Sequence, residues 1–139
     1  MIRATSLHAG WLAAAHRQCF PAKEAWSEEV FATQINLPGV FGLIAEGQGF
    51  ILARVAADEA EILTICVVPK QRRLGIGRKL LQGAEHLAAD WGAQSLFLEV
   101  SNHNHSAFDL YKSGGYERVG VRKRYYADGS DGVILRKSI

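Results

Sequence analysis

The run Val67-Val68-Pro69-Lys70-Gln71-Arg72-Arg73-Leu74-Gly75-Ile76-Gly77-Arg78-Lys79-Leu80 joins an apolar, β-rich stretch to a helically periodic one through two glycines. Upstream, Ala60 to Val68 has the texture of a strand. Downstream, Leu80, Leu81, Ala84, Leu87, Ala88 and Trp91 fall on one face of a helix, and Gly92 closes it. A helix starting here presents unpaired N–H groups and the positive end of its dipole, a combination that binds phosphate oxygens. Gly75 and Gly77 remove side chains that would block close approach, and they accept positive φ. Arg72, Arg73 and Arg78 add positive charge beside them. The plainer reading of the same run is a strand-to-helix turn with incidental glycines.

Two other phosphate loops compete for this text. A Walker A loop requires Gly-Lys-Ser/Thr after four intervening residues, which the chain lacks. A dinucleotide fingerprint requires a third Gly or Ala where Leu80 stands, although Glu99 lies near its acidic position. The dinucleotide reading is weakened by Leu80 and kept open by Glu99.

Working outward, Leu96 to Val100 is a buried strand, so the helix between it and Ala60–Val68 predicts a parallel βαβ unit. Before it, Val40 to Ala45, a Gly47-Gln48-Gly49 turn and Phe50 to Ala56 continue into Ala60–Val68 as an antiparallel meander. The first forty residues read as a short strand at Ile2 to Ala4 and two helices. Thr5 or Ser6 caps the first, which carries Trp11, Leu12, Ala15 and Cys19; Ser27, with Glu28 and Glu29 behind it, caps the second. After Val100, Ser106 to Ser113 forms a shorter helix stopped by Gly114-Gly115. Strands at Tyr116 to Val121 and Val133 to Arg136 are then joined across Asp128-Gly129-Ser130-Asp131-Gly132. With 139 residues there is material for one core, so residues 1–139 are expected to form a single mixed α/β domain.

Composition narrows the function classes. A hydrophobic content of 48% with 22% charged residues excludes a disordered chain. A net charge of +2 is too small to imply nucleic-acid binding, and the one basic cluster, Arg122-Lys123-Arg124, reads as a solvated face. No apolar run approaches the roughly 20 residues of a membrane span, and the N-terminus lacks the blocks of a secretory signal. A cytoplasmic protein with no membrane or nucleic-acid partner is expected. Cys19 and Cys66 lack Cys-x-x-Cys spacing and read as buried, reduced thiols.

Arg72-Arg73-Leu74-Gly75-Ile76-Gly77, placed after a strand and Pro69, resembles the Q/R-x-x-G-x-G/A acetyl-CoA loop of the GNAT acetyltransferase superfamily. The likeness continues through Leu98-Glu99-Val100, Asn104 and Leu110-Tyr111-Lys112-Ser113-Gly114-Gly115-Tyr116, which resemble the L-E-V, N and A-L-Y-x-x-x-G-F elements of the ribosomal-protein-alanine acetyltransferase branch. Arg122-Lys123-Arg124-Tyr125-Tyr126 with Asp128-Gly129, and Trp26-Ser27-Glu28, are similar to that branch too. The match is dense from Asp58 onward; His105, Gly114 and Val68 depart from it. The resemblance implies the GNAT (acyl-CoA N-acyltransferase) fold: a mixed central sheet with flanking helices, splayed where the parallel strands ending at Val68 and Val100 part to admit acetyl-CoA. It implies direct acetyl transfer in a ternary complex to a protein N-terminal amine, alanine of a ribosomal protein being the first expectation. A small-molecule amine acetyltransferase and a non-catalytic module binding acyl-CoA or a dinucleotide are the alternatives.

The same resemblance assigns individual roles. Arg72, Arg73, Leu74, Gly75, Ile76, Gly77 and Arg78 would cradle the pyrophosphate, and Ile65, Cys66 and Val67 would meet the pantetheine arm through main-chain groups. Asn104 matches a contact near that arm, with an N-cap as the plainer role. Glu99 corresponds to the general base; as an isolated residue it reads as a solvated strand end. Tyr111 corresponds to the general acid for the departing thiolate. A phenol near 10 facing a thiol near 8.5 makes that transfer uphill, so the site must lower the phenol's pKa or couple the steps. Its plainer role is a core aromatic beside Ala107 and Phe108. Tyr125 and Tyr126 resemble acceptor-peptide contacts, with hairpin packing as the alternative. His103 and His105 invite a metal, yet no third ligand has suitable spacing, so none is expected. Cys66 as an acyl-enzyme nucleophile yields to inert packing.

Overall fold

Side-chain caps start the first helices where Thr5 and Ser27 place them. In the computed structural model, which describes residues 1–139, Thr5 Oγ1 accepts from the Leu7 amide at the head of a 3-10 turn that runs into α1 (Ala9–Cys19). Ser27 Oγ accepts from the Val30 amide to open α2 (Glu28–Ile35). The β-rich stretches become β2 (Val40–Ala45), β3 (Gly49–Ala56) and β4 (Glu59–Val67), an antiparallel meander with β1 (Ile2–Arg3) on its outer edge. Then come α3 (Ile76–Asp90), β5 (Ser95–Ser101), α4 (His105–Ser113), β6 (Glu117–Arg122) and β7 (Gly132–Ser138). One seven-stranded sheet results, in the order β1-β2-β3-β4-β5-β7-β6. Gly92 follows α3 at φ 99°, the left-handed geometry that ends a helix without a β-carbon penalty. No helix is long and apolar enough to cross a membrane.

Alternation along β3 divides the interior into two cores. Ile51 and Ala53 pack with Leu80, Leu81 and Ala84 of α3 and with Leu96 and Leu98 of β5, whereas Phe50 and Leu52 pack with Leu12 of α1 and Phe31 of α2. Covering both faces explains why β3 reads as an unbroken apolar run. Each fully buried Leu or Phe contributes about 1.5–3 kcal/mol relative to exposure. A buried carboxylate pins α3 to the far strands: Glu85 accepts from Tyr116 Oη at 2.8 Å and from Lys137 Nζ at 3.0 Å, so both of its oxygens are paired.

The parallel pairing of β4 and β5 is short. Glu59, Ala60 and Glu61 pair with Ser95, Leu96 and Phe97, and there the ladder stops. The cause lies in β4, where Leu52 faces Thr64 but Ala53 faces Ile62, leaving Leu63 as an extra residue. Such a bulge bends its strand and raises the twist. It also reverses the side-chain phase: Ala60 and Ile62 face the α3 core before it, Ile65 and Val67 after it, and Cys66 turns to the α1–α2 core. The expected splay is present, and its origin is this one residue.

One expectation is corrected, while the strands around the polar turn stand as expected: β6 and β7 are joined by residues 123–131, because pairing ends at Arg122 opposite Gly132. Within that connection Asp128 Oδ1 accepts from the Ser130 amide and hydroxyl at 2.9 and 2.6 Å, and Ser130 Oγ is bonded to Ser101 Oγ at 2.7 Å. Cys19 and Cys66 are not separate reduced thiols. The end of α1 crosses β4, and the two form a disulfide with Cα atoms 6.2 Å apart, which removes Cys66 as a free nucleophile.

His16 joins the α1–α2 layer to β4. Its Nδ1 accepts the Trp26 amide at 3.0 Å, which assigns the ring proton to Nε2, 3.0 Å from Thr64 Oγ1. Phe20 stacks on the ring at 4.2 Å and Trp26, Phe31 and Phe50 surround it. Burial pushes His16 down to about 4. The folded state therefore holds the neutral ring where the unfolded chain, near 6.5, takes up a proton first. That stability is complete above the unfolded value and is lost as pH falls from about 6.5 toward 4, by at most about 1.4 kcal/mol per pH unit. Urea unfolding at pH 7, 6 and 5 should show wild type losing stability more steeply than His16→Gln; parallel slopes would contradict it.

Candidate active site

Where β4 and β5 part, a cleft of about 1610 Å³ opens. One wall is β4 from Ile62 to Val67 with the loop Gln71–Arg78; the other is β5 from Leu98 to Ser101 with α4. Phe20 to Trp26 from the α1–α2 connection and Tyr125 to Ser130 from the β6–β7 connection close one end. The volume exceeds the roughly 300–1,000 Å³ of an ordinary small-molecule pocket.

The loop that leads into α3 leaves its amides free. None of the main-chain N–H groups of Arg73, Leu74, Gly75, Ile76, Gly77 and Arg78 donates to a protein acceptor; the first bond in this stretch is from Lys79 to the Gly75 carbonyl, 3.2 Å. Positive φ at Arg73 (68°) and Gly75 (78°) turns the chain before the helix begins. Consecutive free amides at a helix start are an anion site. Gly75 is required for its backbone angle, since a β-carbon there would meet nothing within 4 Å. Gly77 serves packing instead: a β-carbon would stand 3.3 Å from Leu110 Cδ2, so its absence lets α4 approach α3.

Side chains around the loop divide. Arg72 Nε turns back to the Val67 carbonyl at 3.1 Å, and the Arg78 guanidinium donates to Ser113 Oγ at the end of α4. Arg73, Gly75, Ile76 and Gly77 line the cleft with them, while Leu74 is exposed outside it. Ile65 and Val67 face the cleft; the Cys66 side chain does not. Asn104 takes the plainer role, its Oδ1 accepting from the Ala107 amide at 3.2 Å as the N-cap of α4, and it also lines the cleft.

Glu99 and Tyr111 meet the cleft from β5 and α4. Glu99 is not a solvated strand end: Oε1 pairs with Arg122 Nε at 3.2 Å, and Oε2 is the one buried side-chain oxygen or nitrogen without a hydrogen-bond partner. Arg122, expected on a solvated face, thus has a carboxylate partner and lies over the Tyr125 ring at 5.0 Å. The Tyr111 ring is packed edge-on against Tyr116 at 5.9 Å, with 5% of the residue exposed. Burial, with Tyr126 adding to it, pushes Tyr111 up to about 12. The shift runs opposite to the lowered pKa that would ease proton donation. Tyr126 is half-buried and also rises to about 12, from burial first and then from the Glu99 carboxylate. Tyr125 sits on the rim, 53% exposed, its ring 5.1 Å from Tyr126. His103 Nδ1 stands 3.8 Å from Asp128 Oδ2, and no three His, Cys, Asp or Glu side chains converge as metal ligands.

Residues 10–116 match the model of the acetyltransferase (GNAT) family. The chain belongs to this family. It is an acetyltransferase with acetyl-CoA as co-substrate. The ribosomal protein bS18-alanine N-acetyltransferase of Escherichia coli (strain K12) is 33% identical over 142 residues, 96% of this chain and 91% of that one. An uncharacterised Mycobacterium leprae protein is 42% identical over 80 residues, which are 57% of this chain and 21% of that longer protein. The crystal structure of the ribosomal-protein-S18-alanine N-acetyltransferase from Escherichia coli superposes with a TM-score of 0.84 at 28% identity, covering 99% of this chain and 93% of that chain.

Sequence reasoning missed His16, Arg122 and Gly132 as site-shaping residues. Only the strand register that sets Arg122 opposite Gly132 and beside Glu99 reveals the last two. Replacing Gly75 by Ala forces a β-carbon into left-handed backbone and should cost about 1–2 kcal/mol in urea unfolding. An unchanged midpoint would mean that the turn relaxes without penalty.

Proposed function

We propose that the chain transfers the acetyl group of acetyl-CoA to the N-terminal α-amine of a protein, with alanine of a ribosomal protein as the leading acceptor. The observation that carries the reading is the row of unbonded amides from Arg73 to Arg78, opening onto the same cleft as Glu99 and Tyr111. Those amides with the α3 dipole suit the pyrophosphate of the donor. Ile65 and Val67 border the path from there toward Glu99, and main-chain groups on the edge of β4 that β5 leaves open suit the pantetheine amides and the thioester carbonyl. The 33% identical bS18-alanine N-acetyltransferase supports the choice of acceptor. The compartment in this reading is the cytoplasm, where new protein N-termini emerge; the Cys19–Cys66 bridge must then withstand a reducing thiol pool.

In this reading the amine enters between Phe20–Trp26 and Tyr125–Tyr126 and attacks the thioester carbon. The C–N bond forms, the C–S bond breaks, one amine proton passes to Glu99 and the electron pair leaves on sulfur. An α-amine of pKa about 7.7–8.0 is already partly neutral near pH 7, so a carboxylate suffices where a lysine near 10.4 would ask for a stronger base. Tyr111 donates its proton to the departing sulfur. With the phenol up to about 12 and a thiol near 8.5, a separate proton transfer is uphill, so donation accompanies C–S cleavage. Until that moment Tyr111 stays protonated, as a donor must.

Mass spectrometry of a peptide library incubated with the protein and acetyl-CoA tests donor and acceptor together. Ala-starting peptides should gain one acetyl group at the α-amine; turnover confined to small amines would overturn the acceptor. In steady-state assays Glu99→Gln should lower kcat roughly 10²–10⁴-fold, the usual contribution of a positioned base. Tyr111→Phe should lower kcat while leaving the calorimetric affinity for acetyl-CoA unchanged, and a full-rate Tyr111→Phe enzyme would remove the acid role.

A further inference from the structure

Two carboxylates, Glu85 buried and Glu99 partly buried, serve this protein differently. Glu85 has a donor on each oxygen, whereas Glu99 has Arg122 on Oε1 and none on Oε2. An unpartnered buried carboxylate oxygen is costly, and it persists where the surroundings fix the group in place.

What fixes it spans three adjacent strands. In the order β5-β7-β6, Gly132 of β7 pairs with Ser101 of β5 on one side and with Arg122 of β6 on the other. Glu99, two residues before Ser101 and on the same face of β5, reaches across β7 toward Arg122. Its Oε2 lies over Gly132, so close that a β-carbon there would overlap it. Gly132 has no positive φ, so space is the reason for glycine here, not backbone freedom. Arg122 is held from behind by the Tyr125 ring, which limits where the guanidinium travels.

We propose that Gly132 and Arg122 are positioning residues for acetyl transfer: Gly132 leaves the space in which Oε2 is lodged and Arg122 holds Oε1, so that the carboxylate keeps one orientation beside the cleft. The inference rests on the reading of Glu99 as the base and adds what orients it. A carboxylate held by an ion pair at one oxygen and by packing at the other keeps a fixed orientation, which is what proton transfer requires. A side chain at position 132 would evict the carboxylate rather than break the sheet, because the displaced atom is the far end of a flexible side chain. The ion pair alone would tie down any carboxylate; the missing β-carbon decides where it lies.

Steady-state kinetics of wild type, Glu99→Gln, Gly132→Ala, Arg122→Gln and Arg122→Lys test the proposal, with thermal melts confirming that each variant is folded. Gly132→Ala and Arg122→Gln should each lower kcat about 10-fold or more, part of the roughly 10²–10⁴-fold that a base contributes, with KM for acetyl-CoA unchanged. Arg122→Lys, which keeps the charge but not the fork, should recover most of the loss. On a Glu99→Gln background neither substitution should lower kcat further, a non-additivity that a purely structural role would not produce. If Glu99→Gln loses activity while Gly132→Ala and Arg122→Gln keep wild-type kcat, the positioning proposal fails and the base assignment stands. If Glu99→Gln itself turns over at the wild-type rate, the base assignment fails first. A rise in acceptor KM at constant kcat would make Arg122 a peptide contact and overturn its role here. Should Gly132→Ala not fold, the arginine series decides alone.

Discussion

Backbone amides that the fold cannot satisfy from within govern this molecule. From Arg73 to Arg78 the chain turns through left-handed backbone at Arg73 and Gly75 and enters α3 with its first donors unspent. Free donors beside the positive end of a helix dipole favour an anion. The exposure is possible because β4 and β5 stop pairing after Glu61 and Phe97, so no strand covers the loop's approach. The two features need each other: a closed sheet would bury the amides, and a fully capped helix would leave the gap nothing to bind.

Around that gap the two cores act as fixed walls. The α3 core holds the loop, with Glu85 tying the helix to Tyr116 and Lys137. The α1–α2 core holds the opposite lip through the buried aromatic set around His16, whose ring nitrogens join the Trp26 amide to Thr64 of β4. Polar groups inside both walls are bonded, and the exception, Glu99 Oε2, sits at the cleft. The one unsatisfied buried polar side-chain atom thus belongs to a residue that lines the cleft, and none lies in the supports.

Most of the scaffold was legible in the residues because its signals are local. Thr5 and Ser27 cap helices, Gly92 ends one, and apolar periodicity gives α3 and the strands within about two residues of their ends. The glycine loop was legible for the same reason, although Gly77 proves to serve helix packing rather than backbone freedom. What stayed hidden depends on partners distant in sequence. Cys19 and Cys66 meet across 47 residues, so no spacing rule announces their bond. Arg122 looked like part of a solvated basic run because its partner, Glu99, lies two strands away in the sheet. Tyr111 is packed and lines the cleft, and the direction of its pKa shift follows from burial that only the fold supplies.

Leu63 gives β4 two identities. Up to Ile62 the strand is phased as a member of the sheet, its even-numbered residues on the α3 side; beyond the extra residue the odd-numbered ones take that side and Cys66 faces the opposite layer. Length along this strand is therefore a matter of parity. An insertion or deletion of one residue would exchange the wall of the cleft for its outer lining, bringing a sulfur where Ile65 and Val67 now stand, whereas a change of two would only translate it. Tolerance to indels here should follow an odd–even rule, stricter than anything hydrophobicity alone would impose.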